Sequence, residues 1–335
     1  MKIVVIFIFL VFWSHAKDYT QNKEVQTFIK TLVKEYKMDK AYLEKLFSSV
    51  EQYKAPLRIF SPKDKKKRTP EEVAKLKKLY PEHGAWDRYS KHKVNENRAK
   101  QGFTFIQKHK SIFENVEKRF GIPKEYIAAI IGIETVYGNN VGKYPVFDNL
   151  TTLAFEKNRR NRFFKNQLKK FIRLSQTEKF NPKNVKGSYA GAIGLGQFMP
   201  SNYKAYGVDY NGDGRITLQR AGDAIASIAN YLKKNGWKSG EPVATRVSYE
   251  GNRFYGLKTG YKTTYLRRDL KGISPREKWD YKDKVRLIKL NRKTYDELWY
   301  GAHNFRVITR YNHSAYYAMS VHQLALKIKK ILDEN

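Results

Sequence analysis

Hydrophobic residues recur at helical spacing along the first part of the chain. One apolar stripe begins at Val25, and a second follows Asp39, a residue suited to the N-cap of a helix. Helical patterning resumes after Pro70. These stripes predict a helical domain over residues 17–115.

The pattern changes after Gly240. Three stretches rich in β-branched and aromatic residues, 243–247, 263–266 and 284–290, lie between turn residues and predict strands. They indicate a small β domain over residues 239–300.

A last apolar stripe follows Ser314, which suits a helix N-cap. We expect this helix, residues 314–335, to complete the N-terminal helical domain. The fold class is therefore predicted as mostly α (α+β), with domains that are discontinuous in sequence.

The most informative helix lies within residues 121–138. Pro123 suits its first turn and Gly138 its end. The apolar stripe at Ile127, Ile130 and Ile131 continues at Glu134. A carboxyl group on such a stripe is partly desolvated, which raises its pKa towards that of a general acid. The alternative is a structural ion pair with an arginine or lysine.

Residues 187–201 form a second cluster, rich in glycine and alanine. Glycines allow a ligand to approach the backbone closely. Ser188 and Gln197 are polar positions in this apolar frame and suit hydrogen bonds to a sugar or to the catalytic carboxylate. A close helix–helix crossing would explain the small residues equally well.

Together these motifs resemble the membrane-bound lytic murein transglycosylase B family. The resemblance spans about residues 80–326, and it includes Glu134-Thr135 before Gly138, the run 191–200 and the segment 308–314. It implies a lysozyme-like core over residues 116–238 and a segment, 301–313, that returns to the cleft.

The resemblance also implies the chemistry. Glu134 would be the sole acid/base that cleaves the bond between N-acetylmuramic acid and N-acetylglucosamine in peptidoglycan glycan strands, closing a 1,6-anhydro ring on the muramoyl sugar. No second carboxylate is needed, unlike in most glycosidases. The residues implied to bind substrate are Tyr89, Arg159, Arg160, Ser188, Gln197, Tyr231, Tyr311, Asn312 and Tyr317.

Asp148 is the rival for a second carboxylate. It precedes a short apolar helix and suits its N-cap, so we interpret it as structural.

Residues 209–223 resemble an EF-hand loop. The calcium ligands predicted there are Asp209, Asn211, Asp213, the carbonyl of Arg215 and Asp223. The departure is at loop position 12, where a bidentate glutamate is expected and Arg220 stands; the resembling family has a displaced aspartate corresponding to Asp223. We expect a structural Ca²⁺ of modest affinity and no organic cofactor. A plain turn is the alternative.

The charge balance indicates a class of partner, and residues 1–16 indicate a compartment. Lys+Arg number 66 against 32 Asp+Glu, and the resulting net charge of +34 favours polyanions. Residues 1–16 have the pattern of a cleavable signal peptide, which argues against nucleic acid as the partner and for the periplasm of a Gram-negative bacterium. The basic run 63–68 is then a solvated loop. Because there is no cysteine, we expect no lipid anchor, and a monomer associated with wall or membrane by charge alone.

Three alternatives remain open at this stage. A hydrolytic muramidase would use the same cleft with an activated water, and a non-catalytic peptidoglycan-binding module would bind strands without releasing product. A basic nucleic-acid binder would require residues 1–16 to have another function.

Overall fold

The computed structural model describes residues 16–61, 69–79 and 83–335. The signal peptide and the basic run 63–68 therefore lie outside the described residues, apart from Ala16. Among the helices described, none combines the length and the apolar character needed to cross a bilayer.

The described residues form a mostly helical fold with small antiparallel sheets, and the predicted fold class is confirmed. The helices are α1 (Lys23–Tyr36), α2 (Lys40–Phe47), α3 (Lys54–Phe60), α4 (Pro70–Leu79), α5 (Ala85–Ser90), α6 (Glu96–Lys108), α7 (Lys110–Phe120), α8 (Lys124–Thr135), α9 (Val146–Phe155), α10 (Asn161–Thr177), α11 (Pro200–Tyr206), α12 (Ala221–Lys234), α13 (His303–Tyr311) and α14 (Ala315–Asp333). The strands are β1 (Ala16–Lys17), β2 (Val50–Glu51), β3 (Tyr144–Pro145), β4 (Lys186–Gly187), β5 (Ala244–Tyr249), β6 (Ile273–Pro275), β7 (Arg286–Asn291) and β8 (Asp296–Gly301).

The chain divides into two compact units. The described part of the first comprises residues 16–61, 142–192 and 199–201. In this unit α9 packs against α10, and α1 against α2. The predicted cap of α2 is confirmed, since the Asp39 carboxylate accepts a hydrogen bond from the Tyr42 amide. Aromatic rings fill the core; the rings of Phe47 and Phe147, both fully buried, lie 5.2 Å apart.

The second unit holds the remaining described residues. Helices α6, α8 and α14 pack against one another, and α12 packs on α7. The predicted start of α14 is confirmed, because the Ser314 hydroxyl accepts a hydrogen bond from the Tyr317 amide at 3.2 Å. A four-stranded antiparallel sheet, in the order β6-β5-β8-β7, covers a core that includes Val247, Leu287 and Tyr300.

Two of the three predicted strands are present in this sheet, as β5 and β7. The prediction of a strand over residues 263–266 is wrong: Tyr265 makes an isolated bridge with Val285. Within β7, the Leu287 carbonyl accepts a hydrogen bond from the Gly260 amide rather than from residues 263–266. The ladder therefore stops after one residue pair.

Helix α8 ends three residues before the predicted stop at Gly138. Its C-cap is Val136, and both Val136 and Tyr137 adopt the left-handed conformation, with φ of 54° and 56°. The last residue of the helix, Thr135, joins it to the glycine-rich segment, because its hydroxyl lies 2.9 Å from the Leu195 carbonyl and shares its proton between that carbonyl and the Ile131 carbonyl at 3.1 Å. A non-glycine residue in this conformation is held there by its surroundings.

Candidate active site

Glu134 lies in the last turn of α8, at the end of the predicted apolar stripe. Ile127, Ile130 and Ile131 are fully buried, and Glu134 is partly buried. Burial raises the pKa of the Glu134 carboxyl to about 7, while a hydrogen bond from Tyr317 acts in the opposite direction. A carboxyl group with this pKa is protonated in a large fraction of molecules near neutral pH.

Tyr317 supplies that hydrogen bond, with its hydroxyl 2.7 Å from Glu134 Oε1. The first turn of α14 carries Tyr317, and the Ser314 cap fixes where that turn begins. The side chain is buried. Burial and then the charge of Glu134 raise the pKa of the Tyr317 hydroxyl well above its usual value, so it remains a donor.

Two further tyrosine rings pack in a row beside Tyr317. We call Tyr231, Tyr311 and Tyr317 the tyrosine cluster. The rings of Tyr311 and Tyr317 are stacked, 6.3 Å apart and inclined by 9°. Tyr231 meets Tyr311 edge-on at 4.8 Å, and its hydroxyl donates to the Arg310 carbonyl at 2.7 Å. Three tyrosines predicted to bind substrate are thus brought together beside Glu134.

The glycine-rich segment packs beneath this cluster. Tyr311 donates to the carbonyl of Gly196 at 2.5 Å, and a Cβ atom on Gly196 would lie 2.8 Å from that hydroxyl. Gln197 has a left-handed φ of 50°, and its Nε2 donates to the carbonyls of Val141 (3.0 Å) and Gly194 (3.1 Å). At Gly196 the absence of a side chain allows the Tyr311 hydroxyl to approach the backbone closely. The alternative of a helix–helix crossing is wrong, because residues 187–199 are not helical.

Tyr89 lies on α5 in a group of aromatic residues. Its ring is stacked 6.1 Å from Trp86 and lies 5.6 Å from Tyr316. Burial, and secondarily the charge of Glu134, raises the pKa of the Tyr89 hydroxyl. That effect puts Tyr89 within electrostatic range of the carboxyl group. Asn312 follows α13 and is exposed.

Other predicted substrate residues lie in the first unit. The Ser188 hydroxyl accepts hydrogen bonds from the amides of Ala190 (3.3 Å) and Ala192 (3.0 Å) and so stabilises its own turn. The Arg159 guanidinium donates to carbonyls at the end of α3, including Ile59 at 3.0 Å. Arg160 is exposed, with its guanidinium 4.0 Å from the centre of the Phe163 ring.

Asp148 is not the N-cap that the sequence predicts. Pro145 holds that position, and Asp148 lies in the first turn of α9. Its carboxylate is buried and forms an ion pair with Lys183, at 2.6 Å. Desolvation, opposed by Lys183, raises the pKa of Asp148. The structural interpretation of Asp148 therefore rests on an ion pair, which the local sequence pattern did not indicate.

The predicted calcium loop has the turn that such loops need in its first half. The Asp209 carboxylate accepts hydrogen bonds from the amides of Gly212 and Gly214, both at 2.8 Å. Gly214 is in the left-handed region, with φ of 77°. Oxygen-bearing side chains at loop positions 1, 3 and 5 are thus compatible with a calcium ion.

The second half of the loop carries Arg220 at position 12 and the displaced carboxylate, Asp223. The Arg220 guanidinium donates to Asp213 Oδ2 at 2.8 Å. The two oxygens of Asp223 accept hydrogen bonds from the amides of Tyr210 (2.9 Å) and Thr217 (2.6 Å). Within residues 16–61, 69–79 and 83–335, no group of three or more histidine, aspartate or glutamate side chains is arranged to hold a metal.

Sequence reasoning assigned no role to Arg98 and Tyr137, which stabilise the end of α8. The Arg98 guanidinium donates to the Gly132 carbonyl, and the Tyr137 hydroxyl donates to the Arg98 carbonyl at 2.9 Å. Arg98 lies 34 positions before Gly132, so no local pattern could have connected them.

Comparison with known proteins shows the family of this chain. The family model described as "Transglycosylase SLT domain" matches residues 20–326. Membrane-bound lytic murein transglycosylase B of Escherichia coli K12 is 37% identical over 309 residues, which cover 92% of this chain and 83% of that protein.

Two solved structures are similar over most of this chain. The Escherichia coli lytic transglycosylase SLT35 in complex with calcium has a TM-score of 0.83 and 35% identity, covering 95% of this chain and 96% of that chain. SltB3 of Pseudomonas aeruginosa, in complex with NAG-NAM-pentapeptide, has a TM-score of 0.76 and 26% identity, covering 91% and 79%.

Proposed function

Because this chain belongs to the transglycosylase SLT family and is a peptidoglycan-cleaving lytic transglycosylase, we propose that Glu134 is its single acid/base. The observation that carries the proposal is the Glu134 carboxyl on α8, with a pKa raised by burial to about 7 and a hydrogen bond from Tyr317. A general acid is most effective when its pKa lies near the working pH.

The protonated carboxyl of Glu134 gives its proton to the oxygen that joins N-acetylmuramic acid to N-acetylglucosamine, and the bond from that oxygen to the muramoyl C1 breaks. The resulting carboxylate then takes the proton from the muramoyl C6 hydroxyl. The C6 oxygen bonds to C1 and closes the 1,6-anhydro ring. Glu134 ends protonated, as it began, and no water is consumed. Because the nucleophile belongs to the substrate, its proximity lowers the barrier.

Tyr317 is a positioning residue in this proposal. Its hydroxyl engages Glu134 Oε1, which orients the carboxyl group and leaves Oε2 to exchange the proton with substrate. Its hydrogen bond also limits the rise in the pKa of Glu134. The group can therefore lose its proton to the glycosidic oxygen and still act as a base afterwards.

Substrate contacts are assigned by chemistry. The tyrosine cluster and Tyr89 offer ring faces to the sugars, while Gln197, Ser188 and Asn312 offer polar groups. Arginine side chains pair with carboxylates in a forked geometry, so Arg160, with Arg159 beside it, suits the acids of a stem peptide. The complex of SltB3 with NAG-NAM-pentapeptide supports a substrate that carries peptides.

We place the activity in the periplasm of a Gram-negative bacterium, on a monomer without a lipid anchor. The signal-peptide pattern and the lack of cysteine support this location, and the net charge of +34 supports electrostatic association with the wall or membrane.

A calcium ion in the 209–223 loop would be structural. Asp209, Asn211, Asp213, the Arg215 carbonyl and Asp223 would hold it, and the amides of Tyr210 and Thr217 that donate to Asp223 keep its carboxylate in place. SLT35, a similar structure, is in complex with calcium, which supports a calcium site in this chain.

The test is mass spectrometry of purified peptidoglycan digested by the mature protein and by Glu134→Gln. We expect anhydromuropeptides from the wild type and none from the variant. Products with reducing muramic ends would instead establish a hydrolytic muramidase. If strands bind but neither protein releases product, the chain is a binding module.

A further inference from the structure

A groove of about 380 Å³ lies between α6 and the segment that follows α8. The residues that α6 contributes are three or four positions apart, so they share one face of the helix; they are Asn97, Gln101, Thr104 and Lys108. The segment after α8 contributes Tyr137 and Asn139. We call this cavity the α6 groove. Small-molecule sites occupy about 300 to 1,000 Å³, so the groove has room for a short saccharide.

Residues 135–141 connect the α6 groove to the candidate active site. The segment begins directly after Glu134, and its middle lines the groove. Its far end is fixed by Gln197, whose Nε2 donates to the Val141 carbonyl at 3.0 Å. A ligand in the groove therefore contacts the same short segment that joins the acid/base to a residue implied to bind substrate.

Three side-chain amides in the groove are available to a ligand. Asn97 and Asn139 are exposed, and Gln101 is partly buried. Over the described part of the chain, none of these side-chain amides forms a hydrogen bond with another residue. Each amide offers two donors and an oxygen acceptor. The hydroxyl and N-acetyl groups of a sugar can satisfy both kinds of group together.

Phe105 and Tyr137 supply the aromatic part of the groove. Their ring centres are 5.6 Å apart, their planes are inclined by 35°, and both side chains are partly buried. The Tyr137 ring is held in place, because its hydroxyl donates to the Arg98 carbonyl at 2.9 Å. Aromatic side chains combine a large apolar area with a fixed geometry, so the exposed part of these rings suits the apolar face of a sugar.

Lys100 and Lys108 make the groove cationic. Both are exposed, and among the described residues neither has a carboxylate within ion-pair distance. Glu96, one turn before Lys100, is bonded to Lys327. Of the described residues that line the groove, none is acidic. This charge favours a ligand with carboxylates over a neutral one.

We propose that the α6 groove is a second saccharide-binding site, which takes a short stretch of glycan strand that carries N-acetyl groups and carboxylates. The three amides bind hydroxyl and N-acetyl groups, the two rings contact an apolar sugar face, and the two lysines pair with a carboxylate. A strand bound there stays close to Glu134 without taking part in bond cleavage. Only the class of ligand rests on the proposed function, since binding in the groove does not depend on the role of Glu134.

The test is an NMR titration of the isotope-labelled mature protein with the disaccharide GlcNAc-MurNAc, whose lactyl group carries a carboxylate, and with neutral chitobiose. The disaccharide has no MurNAc-GlcNAc bond, so turnover does not interfere. We expect the side-chain amide signals of Asn97 and Gln101, assigned with Asn97→Ala and Gln101→Ala, to shift along a saturable curve. The dissociation constant from these signals should be about three- to tenfold lower for GlcNAc-MurNAc than for chitobiose, as contact with exposed cations predicts.

The double variant Lys100→Glu, Lys108→Glu tests the charge of the groove. It should weaken GlcNAc-MurNAc binding at least about fivefold and change chitobiose binding by less than about twofold. The matched control is Lys118→Glu, Lys233→Glu, which makes the same change of net charge at two exposed lysines outside the groove. It should bind both saccharides as the wild type does. Gln101→Ala keeps the charge and should weaken both saccharides, measured from the remaining amide signal, and it decides the outcome if the charge variant fails to fold.

The proposal is overturned if the signals of Asn97 and Gln101 do not shift with either saccharide, or if both saccharides bind with the same dissociation constant. It is also overturned if the control variant loses as much affinity as the groove variant, or if Gln101→Ala binds as the wild type does. Anhydromuropeptide release by the wild type is measured separately. Groove binding without that release would contradict the proposed function alone, whereas release without groove binding would contradict the second site alone.

Discussion

The hydroxyl of Tyr317 donates a 2.7 Å hydrogen bond to Oε1 of Glu134, from a position 183 residues further along the chain. Burial favours the neutral carboxyl group, whereas this hydrogen bond favours the carboxylate. The balance between them sets the pH range in which Glu134 can act first as an acid and then as a base.

Replacing Tyr317 by phenylalanine should raise the pKa of Glu134, because it removes the hydrogen bond that stabilises the carboxylate. A general acid must be protonated at the start, so activity falls as pH rises through this pKa, which is about 7 in the wild type. In Tyr317→Phe we expect the alkaline limb of the kcat profile to shift upward by roughly half to one pH unit. The measurement is release of soluble muropeptides between pH 5 and pH 9, a range of about two units either side of that pKa.

Tyr311→Phe is the control for that profile, since the Tyr311 hydroxyl donates to the Gly196 carbonyl. Its alkaline limb should stay close to that of the wild type. An unchanged or lowered limb in Tyr317→Phe would mean that the hydrogen bond does not tune Glu134.

Glu134→Gln should stabilise the fold at alkaline pH. The carboxyl pKa rises from 4.5 to about 7 on folding, so its contribution to stability is complete below pH 4.5 and is lost as pH rises towards 7. Above pH 7 the folded wild type must hold a desolvated charge, which the amide of the variant avoids. We expect the variant to be more stable by about 1 to 3 kcal/mol near pH 8. Urea unfolding of both proteins near pH 8 and near pH 4 measures this difference, and an advantage that did not shrink at the lower pH would contradict the assignment.

Gly132→Ala should destabilise the end of α8. An added Cβ atom would lie 2.5 Å from the hydroxyl oxygen of Tyr137 and 2.6 Å from its Cζ. Alanine is favoured over glycine within a helix by about 1 kcal/mol, but overpacking of this kind costs about 1 to 3 kcal/mol. We expect a net loss of stability and lower activity, because Glu134 lies in the next half-turn.

A double-mutant cycle with Tyr137→Ala identifies the cause. Without the tyrosine ring, the same Gly132→Ala change should cost much less, so the two substitutions should be strongly non-additive. Additive effects would show that the ring does not limit the space at Gly132.

Variants of the Asp148–Lys183 ion pair test whether Asp148 is a structural or a catalytic carboxylate. Lys183→Met leaves the buried Asp148 without its cation and should lower the free energy of unfolding. We expect a loss of about 1 to 3 kcal/mol, which is modest because Lys183 is partly exposed. Asp148→Asn should retain anhydromuropeptide release, measured by mass spectrometry. A loss of activity in a folded Asp148→Asn protein, comparable to that of Glu134→Gln, would favour the two-carboxylate muramidase.

Several local features of the fold were predictable because they depend on near neighbours in sequence. Helix caps at Asp39 and Ser314 are confirmed, as is the buried stripe that leads to Glu134. Sequence reasoning failed where distant groups decide the outcome. The end of α8 is bonded to Arg98 and to Leu195, and the stop predicted at Gly138 was three residues late.

The domain boundaries and the substrate contacts stay predictions. The family resemblance indicated residues for these contacts, but it did not reveal what some of those residues do in the fold. Arg159 donates to carbonyls at the end of α3, and the Ser188 hydroxyl accepts amides of its own turn. Both roles are compatible with a nearby ligand, which only binding measurements on their variants can test.

The sequence by itself determined which helix carries the carboxylate and that this carboxylate lies on an apolar face, because periodicity and capping act within about four residues. The tertiary structure alone decided which groups meet Glu134 and which cation meets Asp213. Tyr317 reaches Glu134 because α14 packs on α8, and Arg220 reaches Asp213 because the loop folds back before α12. Such contacts depend on how whole elements pack, and no pattern confined to one segment contains that information.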